Sequence, residues 1–135
     1  MQYLLLIYTE EVDPATIPPA DQEAELGAYR EFTRVAVERG YMRGGDALEP
    51  TATATTVRVR DGRTIISDGP FAETKEALGG YYLIDCPDLD TAIEMAAMIP
   101  GAGQGSIEIR PVWELPMSAT PDAIMAAAGA ADAAS

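Results

Sequence analysis

The residues best suited to chemistry are concentrated in one stretch, "SDGPFAETKEALGG", which runs from Ser67 to Gly80. Turn-forming residues lie at both of its ends. Between them are one aromatic ring and a cluster of charged side chains: Phe71, Glu73, Lys75 and Glu76. The stretch could be an active-site loop, a binding lid or a long connection between two strands. Loops longer than a connection needs are usually either functional or disordered.

The side chains of this stretch allow a structural and a chemical interpretation. Asp68 can accept hydrogen bonds from nearby backbone N–H groups and hold the turn, and this is favoured over a role as catalytic base. We predict that Phe71 either plugs into the core or lies over a pocket. The charged cluster is expected to face water, as charged loop residues usually do.

The chain has no histidine, which removes several mechanisms. Ser–His–Asp and Cys–His nucleophile systems are excluded within one chain, as are zinc and haem sites with histidine ligands. A general acid or base must then be a carboxylate, a tyrosine, Lys75 or Cys86. Cys86 lies in the apolar run "YYLIDC", so we predict a buried small hydrophobe and not a nucleophile. We expect neither a metal nor a cofactor.

A second group of candidates lies on predicted strands. Glu108 and Arg110 are on the last strand, and Arg58 and Arg60 are on a predicted hairpin. An arginine in a wet cavity would bind a carboxylate or phenolate through two hydrogen bonds, with Tyr81 or Tyr82 supplying a hydroxyl. The alternative is pairing between glutamate and arginine side chains on the sheet. The candidate ligand-binding residues are thus Asp68, Phe71, Tyr81 and Arg110, and the candidate catalytic residues are Asp68 and Glu108.

The composition limits the partners. The chain has 135 residues and a net charge of −13, from 22 acidic and 9 basic residues. Such a charge repels phosphate backbones and anionic lipid, so we expect no direct contact with nucleic acid or membrane. The first residues, "MQYLLLIYTEE", lack the basic segment of a signal peptide and predict a strand. A single cysteine fits a reducing cytoplasm.

The hydrophobic pattern predicts six strands and two helices. The strands are Gln2–Thr9, a weak one at Tyr41–Leu48, Thr55–Arg60, Arg63–Ser67, Gly80–Cys86 and one within "GSIEIRPVW"; the helices are about Asp21–Arg39 and Asp88–Ile99. The dipeptide Asp61-Gly62 predicts a tight hairpin turn, and Asp88 a helix N-cap. This order predicts an α+β ferredoxin-like sandwich with an extra hairpin and both helices on one face. Because the first strand is apolar on both sides, the other face should be buried against a second copy, which predicts a homodimer.

Helical periodicity also predicts which helix faces are buried. For the first helix the buried stripe is Leu26, Tyr29, Phe32, Thr33, Ala36 and Val37. For the second it is Leu89, Ala92, Ile93, Ala96 and Ile99, with Met95 and Met98 on the more polar side. The domain is expected over residues 1–115, and the alanine-rich residues 116–135 should form a short helix or a disordered tail.

The long motif "SDGPFAETKEALGGYYLIDCPDLDTAIEMA", followed by "GSIEIRPVWE", resembles the YCII-related family, specifically its DGPF branch, named after the residues Asp68 to Phe71. The resemblance covers about Met1 to Leu115. It implies a dimeric ferredoxin-like α+β barrel and an association with extracytoplasmic-function sigma factors. Some wider relatives look like small-molecule enzymes, including a dehydrochlorinase with a His–Asp pair. That chemistry does not carry over to a chain without histidine, whose matching region reads Gly103-Gln104-Gly105.

Three classes of function remain. A small-molecule-binding or regulatory protein is favoured because it needs a pocket but no base. The alternatives are a cofactor-free lyase or isomerase with a carboxylate base, and an interaction module whose acidic surface meets a basic partner. We predict a cavity between the helices and the sheet, or at the dimer seam. The turn from Asp68 to Phe71 should lie at its rim, with Arg110 inside and bound to a small anion.

Overall fold

The computed structural model describes residues 1–115, which form six strands and three helices. The strands are β1 (Gln2–Thr9), β2 (Met42–Ala47), β3 (Thr55–Arg60), β4 (Arg63–Asp68), β5 (Ala77–Asp85) and β6 (Ser106–Pro111). The helices are α1 (Pro19–Glu38), α2 (Leu89–Ala97) and the short α3 (Gly101–Gln104), with single 3₁₀ turns at Pro14–Thr16 and Thr51–Thr53. The predicted tail, residues 116–135, lies outside the described residues.

Four strands form one antiparallel sheet in the order β2-β5-β1-β6. The segments β1-α1-β2 and β5-α2-β6 each cross over one intervening strand, which is the ferredoxin-like arrangement. The α+β fold predicted from the order of elements is therefore confirmed. β3 and β4 form the extra hairpin as a separate two-stranded sheet.

The two faces of the sheet differ because side chains alternate along β1. Tyr3, Leu5 and Ile7 are buried, together with residues of both α1 and α2. The opposite face, which we call the open face, presents the partly exposed side chains of Leu4, Leu6 and, from β5, Leu83. No helix of residues 1–115 covers it. Both helices thus lie on one face, as predicted.

The buried stripe of α2 is rotated from the predicted one. Met95 is fully buried and packs with Ala92 and Ala96, whereas Leu89 and Ile93 are each 50% exposed. The prediction that Met95 lies on the polar side is therefore wrong. Two alanines let the helix approach the sheet closely, and the unbranched methionine fills the space between them.

The buried stripe of α1 is also narrower than predicted, because the packing of the helix on the sheet decides which residues are covered. Phe32 and Ala36 are buried, while Leu26 and Val37 at the edge of the predicted stripe are 52% and 59% exposed. Periodicity gives the approximate direction of an apolar face, but packing against the sheet selects the residues that become buried.

Local turn and cap signals gave correct predictions. Asp61 and Gly62 both have positive φ, 52° and 74°, as a primed hairpin turn requires. The Asp88 carboxylate caps α2 by accepting hydrogen bonds of 2.7 Å from the Thr91 hydroxyl and 2.8 Å from the Thr91 N–H, and these bonds, the one from the hydroxyl first, lower the pKa of Asp88. β5, however, begins at Ala77 and not at Gly80, since Ala77 and Leu78 pair with the end of β1. The loop after β4 is accordingly shorter than predicted, from Gly69 to Glu76.

Candidate functional site

The loop Gly69–Glu76 is attached to the hairpin by its backbone. The Gly69 N–H donates a 2.7 Å hydrogen bond to the Ala54 carbonyl, and the Thr56 hydroxyl donates a 2.9 Å bond to the Gly69 carbonyl. Gly69 has φ of 92°, which an L-residue rarely adopts, so the chain direction here depends on glycine. These contacts fix the loop beside the start of β3.

Asp68 does not hold this turn. Its side chain is exposed, and within residues 1–115 its carboxylate accepts no hydrogen bond. The interpretation of Asp68 as the turn's hydrogen-bond acceptor is therefore wrong, because backbone groups and Thr56 make those bonds instead. Asp68 also lines neither of the two clefts described below.

A cleft of about 910 Å³ lies between the loop and the 3₁₀ turn at Thr51–Thr53, where β1 ends and β5 begins. Its apolar wall includes Tyr8, Leu48, Pro70, Phe71 and Leu78. Its charged lining consists of Glu10, Glu11, Glu49 and Glu73 against the single cation Lys75. The loop Gly69–Glu76, which carries the exposed aromatic ring and the cluster of charged side chains, thus forms one wall of a cleft.

Phe71 is a wall residue and not a core residue. Its side chain is 79% exposed, so the prediction that it plugs into the core is wrong. The alternative placement, over a pocket, agrees with its position in the cleft lining. Arg58 donates a 3.4 Å hydrogen bond to the Phe71 carbonyl, which ties the backbone of this residue to the hairpin while its ring remains open to solvent.

Glu11 joins the far wall of the cleft to the segment after β1. Its carboxylate accepts hydrogen bonds of 2.8 Å and 2.7 Å from the N–H and the hydroxyl of Thr51. These bonds, the backbone bond first, lower the pKa of Glu11 and favour its ionised form. Neither residue was predicted from the sequence, since 40 positions separate Glu11 from Thr51 and neither lies in a recognisable motif.

Glu108 and Arg110 pair with each other on β6. They lie opposite Leu6 and Leu4 of β1, and therefore on the open face. The Arg110 side chain is 69% exposed, and neither residue lines the cleft. The pairing interpretation of these charges agrees with the structure. Arg110 does not lie between the helices and the sheet, and its predicted position in a cavity at a dimer seam stays a prediction.

Tyr81 and Tyr82 line a different, smaller cleft of about 630 Å³ between α1 and the sheet. The Tyr81 hydroxyl donates a 2.7 Å hydrogen bond to Asp46, and this bond raises the pKa of Tyr81. The Tyr82 ring packs against Phe32, with ring centroids 4.6 Å apart. The structure therefore separates Phe71, which lies in the wall of the first cleft, from Tyr81 and Arg110, whose side chains lie opposite Leu6 and Leu4 on the open face.

The remaining candidate residues are either exposed to solvent or held in contacts within the fold. Glu73 and Lys75 are exposed, as predicted, but Glu76 is half-buried and accepts a 2.9 Å hydrogen bond from the Ser106 hydroxyl. Cys86 is only 3% exposed, and burial raises the pKa of its thiol. This burial confirms the prediction of a buried small hydrophobe, and a buried thiol with a raised pKa is a poor nucleophile.

Two classes of site are not found in the described part of the chain. Residues 1–115 contain no group of three or more cysteine, aspartate or glutamate side chains arranged to hold a metal ion. None of the helices in these residues is long and apolar enough to cross a membrane.

Comparison with known proteins gives the chain a family. The model of the YCII-related domain matches residues 1–116. A protein of Rhizobium meliloti (strain 1021), described only as uncharacterized, is 40% identical over 114 residues, which cover 83% of this chain and 92% of that relative. The chain belongs to the YCII-related family. The resemblance found in its sequence is confirmed at this level.

In this YCII-related chain, the glycine-rich segment before β6 has a structural reason for its composition. Gly105 lies so close to the end of β1 that a Cβ at this position would overlap the Tyr8 carbonyl oxygen. Any side chain here would push β6 away from β1 and deform the cleft at Tyr8. Gly105 is thus required by close backbone approach.

Proposed function

We propose that this YCII-related protein binds a small molecule in the cleft between the loop Gly69–Glu76 and the turn at Thr51–Thr53. The observation that carries this proposal is the Phe71 ring, 79% exposed, in the wall of a cleft of about 910 Å³. Ligand sites have volumes of about 300–1,000 Å³ and mainly apolar walls with a few polar groups. An aromatic ring exposed in such a wall is available to a ligand.

The charges in the lining favour an uncharged or cationic ligand over the small anion predicted from the sequence. An anion would find Lys75 as its only cationic partner in the lining, against four glutamates. Glu11 is held in its ionised form by Thr51. An organic cation would instead be attracted by the carboxylates and by the faces of Tyr8 and Phe71.

A series of three matched probes tests both the location and the charge. Benzylamine, benzyl alcohol and benzoate share one ring and differ in the charge of the head group. In ¹⁵N–¹H correlation spectra, benzylamine and benzyl alcohol should shift the amide signals of the loop and of Thr51, and benzoate should not. Shifts confined to the amides around Tyr81 would place the ligand in the other cleft and contradict the proposal.

Two exposed aromatic residues supply the mutational control. Phe71→Ala should remove the benzylamine shifts, while Trp113→Ala should leave them unchanged. Trp113 is 66% exposed but does not line the cleft. Because both rings are largely exposed, neither change should unfold the protein. Equal effects of the two variants would argue against a ligand contact at Phe71.

We also propose that the protein is a homodimer and belongs to the DGPF branch. The support for a second copy is the open face, where Leu4, Leu6 and Leu83 are only partly covered by residues 1–115. The support for the branch is the motif from Asp68 to Phe71 itself. Packing of two open faces would give the dimeric barrel that the resemblance implies.

The other functions have less support. An enzyme with a carboxylate base needs an acid with a raised pKa in a closed site. The described carboxyl groups with displaced pKa values, Glu11, Glu31, Asp85 and Asp88, all have them lowered. A regulatory contact with a sigma factor is favoured only by the net charge of −13, which suits a basic partner. Association that weakens steeply with salt would support that partner.

A further inference from the structure

The hairpin formed by β3 and β4 has a free backbone edge along β3 within the described residues, because the two strands form a sheet of their own. The Gly69 N–H bonds to the Ala54 carbonyl at the base of the hairpin, and bonded and non-bonded pairs alternate along an antiparallel ladder. This alternation turns the N–H and C=O groups of Val57 and Val59 away from β4. The Val59 carbonyl accordingly accepts a 2.9 Å hydrogen bond from the Arg60 guanidinium. Such an edge is a template for a further strand.

The side chains of β3 alternate between an apolar and a basic face. Val57 and Val59 lie on one face, and Arg58 and Arg60 lie on the other. The two valines are 60% and 59% exposed. The hairpin scarcely touches any other helix or strand of the described chain, and a two-stranded sheet alone is marginally stable in water. The edge of β3 therefore offers backbone groups, apolar surface and positive charge at the same place.

The arginines of the hairpin differ from the other basic residues in having no acidic partner among residues 1–115. Five of the nine basic residues form ion pairs with carboxylates, and all five lie outside the hairpin: Arg30, Arg34, Arg39, Arg43 and Arg110. The remaining four are Lys75 and the hairpin residues Arg58, Arg60 and Arg63. The chain has 22 acidic residues that could neutralise them. A cluster of unpaired arginines in so acidic a chain favours an acidic partner.

An extended peptide with alternating acidic and apolar side chains matches all of these features. A strand added to a sheet edge bonds through its backbone and directs successive side chains to opposite faces. Its apolar side chains would extend the face of Val57 and Val59, while its acidic side chains would reach Arg58 and Arg60. A nucleic acid would contact the arginines alone, and the net charge of −13 would repel it. The edge of β3 is favoured over that of β4, which carries a single arginine, Arg63.

We propose that the outer edge of β3 binds an acidic, extended segment of another protein as a third strand of the hairpin. Val57 and Val59 supply the backbone bonds and the apolar contacts, and Arg58 and Arg60 supply the charge. The Val59 carbonyl keeps a second lone pair for the added strand. This contact is separate from ligand binding in the cleft, whose lining includes Thr55 and Thr56 but none of these four residues, and it does not require a dimer.

Three peptides test the partner's chemistry against the full chain by isothermal titration calorimetry. Acetyl-EVEVEVE-amide has the required alternation, acetyl-KVKVKVK-amide has the opposite charge, and acetyl-EEVVVEE-amide has the same composition as the first without its alternation. We expect the first peptide to bind, with an affinity that falls as salt is added. The third should bind at least about tenfold more weakly, and the second should not bind. Equal binding of the first and third would overturn strand addition.

Amide hydrogen exchange locates the bound peptide. Acetyl-EVEVEVE-amide should slow exchange at Val57 and Val59, whose N–H groups it covers. Exchange at Thr64 and Ile66 should not change, because these residues are opposite Val59 and Val57 and face the outer edge of β4. Protection at Thr64 and Ile66 only would contradict the choice of edge. Protection of Val57 and Val59 already present without peptide would show a covered edge and overturn the proposal.

Proline substitutions provide a matched pair of variants. Val57→Pro removes an outward N–H and leaves the bonds between β3 and β4 in place, so it should abolish binding of acetyl-EVEVEVE-amide. Ile66→Pro makes the same change at the outer edge of β4 and should leave binding unchanged. Equal losses in the two variants, with circular dichroism showing both folded, would argue against an added strand on β3.

A charge reversal tests the contact without altering the backbone. Arg60→Glu should weaken binding of acetyl-EVEVEVE-amide about tenfold and allow acetyl-KVKVKVK-amide to bind. Arg30→Glu on α1 changes the net charge equally and should have neither effect. Equal effects of the two variants would reduce the contact to net charge and overturn it. Wild-type protein that binds oligothymidylate and not the acidic peptide would make the arginines a nucleic-acid site and likewise overturn the proposal.

Discussion

The hydrogen bonds around Gly69 decide which residues stabilise the wall of the cleft. Donors and acceptors in this turn are the backbone of Ala54 and Gly69 and the hydroxyl of Thr56. The nearby carboxylate of Asp68 is exposed and takes no part within the described residues. Residue type alone suggested Asp68, because aspartate is common in turns. The side chain that bonds to the turn is instead Thr56, because β3 places its hydroxyl beside the Gly69 carbonyl.

A pair of substitutions tests this assignment. Asp68→Ala should change the free energy of unfolding by less than about 0.5 kcal/mol, as for a surface site. Thr56→Val keeps the shape but removes the bond to Gly69, and should cost about 1 kcal/mol. Urea denaturation measures both. A larger loss for Asp68→Ala than for Thr56→Val would reverse the assignment.

Glu11 predicts a pH dependence of stability. Its pKa is lowered in the folded protein from the ordinary value of 4.5, so the folded state binds this proton less readily than the unfolded state does. The stabilisation is fully present above about pH 4.5 and is lost as the pH falls through the lower folded pKa. The difference in unfolding free energy between wild type and Glu11→Gln should therefore shrink as the pH falls below 4.5.

Urea unfolding across this pH range makes the measurement. Glu10→Gln is the control, since Glu10 lines the same cleft but accepts no hydrogen bond from another described residue. Its difference from wild type should be smaller than that of Glu11→Gln at neutral pH. A Glu11→Gln difference that stays constant down to acidic pH would contradict the assigned hydrogen bonds.

At the scale of the secondary-structure element, local sequence patterns were sufficient to predict β1, the turn at Asp61-Gly62 and the helix cap at Asp88. Each depends on a few neighbouring residues, and so it can be read from the sequence. The buried face of α2 could not be predicted in this way. The choice between Met95 and Ile93 depends on how closely Ala92 and Ala96 let the helix approach the sheet, which is a property of tertiary packing.

The methionines of α2 test that packing. Met95 is fully buried and Met98 is 37% exposed. Met95→Ala should cost about 2–5 kcal/mol by leaving a cavity, whereas Met98→Ala should cost clearly less. Thermal or urea unfolding compares them directly. Equal losses would show that the predicted stripe, with Met95 on the polar side, was the better description.

At the scale of the whole molecule, the sequence predicted the sheet and the placement of both helices. It did not predict how the candidate residues are distributed. Phe71, Tyr81 and Arg110 were expected to share one cavity, but Phe71 lies in the wall of the cleft, whereas the register places the side chains of Tyr81 and Arg110 on the open face. The contact of Glu11 with Thr51 joins residues 40 positions apart, and no local sequence pattern predicts such a contact.

The cleft beside Phe71 is the centre of the functional proposal, and a crystal structure after soaking with benzylamine tests it most directly. We expect electron density for the ring against Phe71, with the ammonium group directed toward the glutamates of the lining, Glu10, Glu11, Glu49 and Glu73. Density only in the cleft between α1 and the sheet, or only at isolated surface positions, would contradict it.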